Sequence, residues 1–194
     1  MLEQIFERIK GIVLRPVEHF RLAANDTLTF AFVYYLVLLA VFGALFSFSL
    51  TGFGSYVRYD AQFMTTILAM LGQMIVSLFT GTVWLHIWTR IAGGRQGIKN
   101  TLKVVAYAMT PTLLLGWIMP VGTAAGLVWG IVLQVLGVRE LHQLTTGRAV
   151  LAIALSLIAM VVVILVILFL VSPDFLSGIF GSPQGGSYRS SYSF

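Results

Sequence analysis

The sequence contains no cysteine, so disulfides, thiolate metal centres and cysteine nucleophiles are all excluded. Charge is scarce as well: Asp, Glu, Lys and Arg make up 10% of the residues against 58% hydrophobic, where a soluble domain carries about a quarter charged. The few acids stay out of the apolar runs. Glu3, Glu7, Glu18, Asp26, Asp60, Glu140 and Asp174 all fall at run ends or outside them. Proton relays and ion pumps keep ionisable groups at mid-membrane, so this pattern argues against an ion-coupled transporter. It also excludes an intramembrane aspartyl protease, which needs paired carboxylates. A phosphate-cradling loop closed by Lys-Ser or Lys-Thr is missing too, and Gly93-Gly94-Arg95-Gln96-Gly97 reads as a turn.

What is present is a succession of apolar runs, most of them about 20 residues long, the length that crosses roughly 30 Å of hydrocarbon. They predict an all-α integral membrane protein, a five-span helical bundle with an N-terminal interfacial amphipathic helix. The runs are Leu28–Leu50, Phe63–Ile91, Val104–Ile118, Val121–Val138 and Ala149–Val171. The third is short, with Lys99 and Lys103 snorkelling at its start. The division that follows is an interfacial segment over 1–27, a membrane domain over 28–171 and a disordered tail over 172–194, which is low in aliphatic residues.

In the first segment Leu2, Ile5, Phe6, Ile9, Ile12 and Val13 recur at three- and four-residue intervals with charges between them. About 14 residues before Pro16 are too few to span. This helix lies in the interface or packs on the bundle's own end, and periodicity does not choose between the two. Asn25-Asp26-Thr27 offers capping side chains for the first span.

Ten of the 12 Lys and Arg fall on the side of the amino terminus and of the second and fourth connections, leaving Arg58 and Arg189 opposite. That asymmetry predicts a cytoplasmic amino terminus and an outside carboxyl terminus, in the cell membrane if the source is prokaryotic. It also accounts for the net charge of +5. The basic residues flank spans and form no basic face with aromatic readers, so nucleic acid is not an expected partner. The lipid bilayer is.

Between Tyr107 and His142 the punctuation is densest. Met119-Pro120 joins the third and fourth runs with no polar loop, which predicts a tight helical hairpin with its apex there. A hairpin that dips in and returns leaves the charges on the same sides; the length of the fourth run favours five full spans. Gly122, Gly126 and Gly130 recur every four residues and put three bare backbone patches on one face, continued by Gln134. Close helix packing is the expectation, with Ser77 and Gly81 of the second span as a candidate partner face. A homo-oligomer contact or a substrate path is the alternative use.

No catalytic residue is assigned. Ser77, Thr80 and Thr82 lie near His86, but hydroxyls in apolar helices ordinarily bond backbone carbonyls. His19, His86 and His142 fall at the predicted cytoplasmic face without tight ligand spacing, so no metal and no cofactor is expected. Arg139, Glu140 and His142, at the cytoplasmic end of the fourth run, form the candidate contact for a protein partner; the plainer reading is a cap and anchor for the helix end.

Leu14-Arg15-Pro16-Val17-Glu18-His19-Phe20, Tyr107-Ala108-Met109-Thr110-Pro111, Gly116-Trp117-Ile118-Met119-Pro120 and the stretch from Gly130 to His142 together resemble the Yip (Ypt-interacting protein) family, above all its compact prokaryotic-type members. Pro16, Glu18, Phe20, Tyr107, Pro111, Gly116, Trp117 and Pro120 carry the likeness, which runs from about residue 10 to 171. It implies five spans, a cytoplasmic amino terminus and membrane-organising or trafficking work through protein contacts. The Asp-Leu-Tyr-Gly-Pro motif of the eukaryotic members is absent, and with it the expectation of small-GTPase binding. The expected function is therefore a non-enzymatic membrane scaffold acting through protein or lipid contacts. Its alternative is a small solute transporter or channel with a path along Gln73, Gln134 and the glycine face.

Overall fold

The computed structural model describes residues 2–52 and 60–171. Their elements are the helices α1 (Leu2–Leu14), α2 (Pro16–Ala23), α3 (Leu28–Gly52), α4 (Ala61–Ile91), α5 (Ile98–Ala108), α6 (Thr110–Leu115), α7 (Val121–Leu141) and α8 (Thr146–Val171). The expected tail at 172–194 and most of the loop between the first two spans lie outside the described residues.

Helices α3, α4, α7 and α8 are long and apolar enough to cross a membrane. The third apolar run is not one helix, as its hydropathy suggests, but two: α5 ends at Ala108 and α6 begins at Thr110. The break follows from Pro111, which has no N–H to give the carbonyl four residues back. That carbonyl, on Tyr107, accepts instead from the Thr110 hydroxyl at 2.6 Å. A buried backbone oxygen in an apolar surround is thus satisfied by a side chain.

The two short helices run antiparallel to α7 along its length. A Cβ placed on Gly130 would lie 3.2 Å from the Ala108 carbonyl oxygen, and one on Gly126 would lie 2.7 Å from Thr112 Cα. At Gly122 the Leu115 carbonyl fills the space, and Val104 stands 3.0 Å from the Cβ position of Gly137. The glycine face is therefore pressed on α5 and α6, and the pairing with Ser77 and Gly81 is not made: nothing lies within 4 Å of a Cβ at Gly81. Lipid tails are as apolar as leucine, so such backbone approach, rather than escape from water, is what holds helices together here.

Residues 1–156 form one compact unit, with Tyr34, Tyr35, Leu38, Tyr107, Leu113, Leu133 and Val138 among its buried side chains. A second unit begins at Leu157. Its described part is the remainder of α8, whose Ile158, Val161, Leu165 and Phe169 are exposed, an apolar surface suited to lipid.

The amino-terminal periodicity is divided between two helices because Pro16 enters at the first turn of α2, where its missing N–H costs nothing. Ile5 and Ile12 of α1 are buried in the core, while Leu2 and Phe6 are 73% and 65% exposed. In the segment expected to cap α3, Thr27 Oγ1 accepts from Phe30 N at 3.1 Å, and Asp26 is turned elsewhere.

Candidate functional site

Polar side chains gather where α1 and α2 meet the ends of the longer helices. Arg8 of α1 donates to Asp26 Oδ1 at 2.7 Å and to the His19 carbonyl at 3.1 Å, and its guanidinium lies 5.8 Å from the centre of the Tyr107 ring. The second oxygen of Asp26 accepts from the Tyr107 hydroxyl. Both members of the ion pair are mostly covered, with side chains 13% and 14% exposed. Tyr107 packs edge-on against Tyr34, whose hydroxyl bonds Thr110 Oγ1 at 2.7 Å. Lys103 turns inward and donates to the Ala24 carbonyl at 2.7 Å, closing the end of α2. Its sequence position suggested a snorkelling lysine, but its ammonium caps a neighbouring helix.

Phe20 seats α2 on α7. Its ring reaches within 2.8 Å of a Cβ position at Gly137, so the fourth glycine of α7 is the socket for the aromatic residue that ends the Leu14–Phe20 stretch. Beside it Arg21 Nε donates to Glu140 Oε2 at 2.8 Å, and Arg139 binds the other carboxylate oxygen at 2.7 Å. The expected partner-contact residues are thereby separated. Arg139 and Glu140 sit at the rim with Arg21, whereas His142 is 2% exposed and unavailable at the surface.

His142 belongs to a third cluster. Thr101 Oγ1 lies 3.0 Å from His142 Nε2 and 2.8 Å from His86 Nδ1, so one hydroxyl serves two imidazoles. A hydroxyl carries a single proton, so at most one ring can accept from it. Among the described residues the Nδ1 of His142 has no hydrogen-bond partner. Burial, with His86 and Arg90 nearby, pushes His142 down to about 4. The three histidines do not converge: His19 packs over Gly11, and among the described residues no group of three His, Cys, Asp or Glu is placed to hold a metal.

The remaining motif residues pack between helices or lie at the surface. Pro111 opens α6, Trp117 Nε1 donates to the Leu114 carbonyl, and Gly116 packs under Phe42 in the turn that leads to Pro120 and α7. Glu18 is exposed, 4.0 Å from Arg15. Gln134 is half-buried and Gln73 exposed on α4. The hydroxyls of Ser77, Thr80 and Thr82 bond the carbonyls of Met74, Val76 and Leu78. In the sequence Arg8, Arg21 and Thr101 have no assigned role, Asp26 only a capping one and Lys103 only a snorkelling one; their polarity at the border of apolar runs does not name a partner.

The Yip1 domain matches residues 10–168. No curated protein and no solved structure gives a significant match. With a match across most of its length and several helices apt to span a bilayer, the chain is a multi-pass membrane protein that belongs to the Yip1 domain family.

Proposed function

We propose that the protein is a non-enzymatic membrane-organising scaffold whose working surface is formed by α1, α2 and the Arg21–Glu140–Arg139 rim. The observation that carries this is the division of α1 into two apolar stripes. One, through Ile5 and Ile12, is consumed by the core; the other, through Leu2 and Phe6, faces outward beside Lys10 and Arg15. A fixed amphipathic surface with basic flanks suits the cytoplasmic leaflet or a partner lying against it.

The proposed topology has five crossings with the amino terminus cytoplasmic and the carboxyl terminus outside. The matched antiparallel lengths of α5–α6 and α7 support a broken third crossing: the start of α5 meets the end of α7 at Asn100 and Leu141, and Leu115 meets Gly122 at the other end. For the solute-path alternative, the glycine face would have to line a passage, and it is filled by the backbone of α5 and α6. The engagement of the helix hydroxyls with their own carbonyls supports a non-catalytic role.

A photo-crosslinker at Phe6 in native membranes should label lipid, and one at Arg21 should label a discrete protein. Lipid adducts alone at both positions would count against a protein partner, and absence of lipid at Phe6 against the surface placement of α1.

A further inference from the structure

Polar side chains from α1, α2 and the segment before α3 converge on a cleft of about 460 Å³. Its volume falls in the roughly 300–1,000 Å³ range of small-ligand sites. Arg8 and Asp26 form one wall, locked together as a neutral pair whose guanidinium has donors to spare. Glu7 forms another; it is exposed and makes no ion pair among the described residues. The side-chain amides of Gln4 and Asn25 also face the cleft. On the far side of Glu7 and His19 lies a second hollow of about 290 Å³ that carries Lys10 and Arg15. A carboxylate without an ion-pair partner among the described residues therefore lines both hollows.

Thr27 and Phe30 are among the residues that line the cleft, and Leu28 opens the first long apolar helix, so the cleft sits at the border between polar segment and span. Leu22 and Phe30 supply apolar surface beside the polar walls.

We infer that this cleft holds the head group of a zwitterionic phospholipid bearing a primary amine. The ammonium is received by Glu7 and the amide oxygens of Gln4 and Asn25, the phosphate by Arg8, and the acyl chains leave past Leu22 and Phe30. An ammonium with N–H donors can bond three acceptors, which a quaternary ammonium cannot. An anionic head group without an amine leaves Glu7 facing negative charge. The inference rests on the placement of α1 at the bilayer surface proposed above.

The test uses the full chain reconstituted in vesicles of equal phosphatidylethanolamine, phosphatidylcholine and phosphatidylglycerol, followed by native mass spectrometry of the retained lipid. Phosphatidylethanolamine should be retained over phosphatidylcholine by about tenfold, the scale of one charge-assisted hydrogen bond. Glu7→Gln should abolish that preference, and Gln4→Ala should reduce it, with helicity and melting unchanged. Equal retention of the two lipids, preference for phosphatidylglycerol, or an unaltered preference in Glu7→Gln overturns the inference. Soluble phosphoethanolamine should bind far more weakly than the lipid; equal binding reassigns the cleft to a free amine. Failure here leaves lipid crosslinking at Phe6 intact, whereas loss of that crosslink removes the surface placement itself.

Discussion

Tyr107 and Asp26, 81 residues apart in sequence, share a hydrogen bond that ties the buried end of α5 to the segment between α2 and α3. Because Arg8 holds the other carboxylate oxygen, three separate stretches meet on one side chain. Removing Asp26 strands a covered guanidinium. Asp26→Ala should lower the unfolding free energy by about 3 kcal/mol, as for the broken member of a buried pair. Tyr107→Phe, which deletes one hydroxyl, should cost about 1 kcal/mol. Thermal unfolding in detergent measures both, and equal, negligible shifts would show that the cluster does not fasten α1.

Gly126 and Gly81 provide an internal control. At Gly126 a methyl group meets Thr112 backbone, whereas at Gly81 it meets nothing within 4 Å. Gly126→Ala should destabilise by about 1–3 kcal/mol through overpacking. Gly81→Ala should be neutral or stabilise by up to about 1 kcal/mol, the helix-propensity gain. The reverse order of melting temperatures would refute the packing of α7 on α6.

These two glycines also show what can be read in a sequence and what cannot. The period of four marks Gly122, Gly126 and Gly130 as a close-packing face, but it carries no information about the partner, which is chosen by chain connectivity across the tight Pro120 turn. The break at Met109 was hidden for a related reason: hydropathy continues through it, and the bond from the Thr110 hydroxyl to the Tyr107 carbonyl, which Pro111 leaves without an N–H, makes it tolerable. Asp26 reads locally as a helix cap, and its actual partners lie 18 and 81 residues away. The apolar runs themselves were legible because lipid imposes length and composition directly. The His86–Thr101–His142 cluster was not, since contacts between helices leave no local period.

Protonation of His142 should be felt as acid sensitivity. Its folded-state value of about 4 lies below the ordinary 6.5, because burial and then His86 and Arg90 oppose its charge. The unfolded chain therefore binds a proton first as pH falls, and stability should decline from about pH 6.5 downward and level off below about 4. His142→Gln should flatten that part of the melting profile; an unchanged slope would assign the acid sensitivity to other groups.

The Arg21–Glu140 pair should contribute little to folding, since Arg21 is 69% exposed and solvent screens such a pair. Arg21→Ala should melt within a degree or two of the parent while losing the protein adduct of the neighbouring rim. A large fall in stability would instead make this corner structural, as a helix anchor.

The proposed topology would put the Arg8–Asp26, Arg21–Glu140 and His86–Thr101–His142 clusters on one face, and it is the most direct point of attack. The sequence has no cysteine, so single cysteines can be introduced without background. Met119, in the turn before α7, is 63% exposed, and Lys99, at the start of α5, is also exposed. In intact cells a membrane-impermeant maleimide should modify Met119→Cys, and should reach Lys99→Cys only after permeabilisation. Protection of Met119→Cys, or its modification only from the cytoplasmic side together with Lys99→Cys, would contradict the five-crossing account.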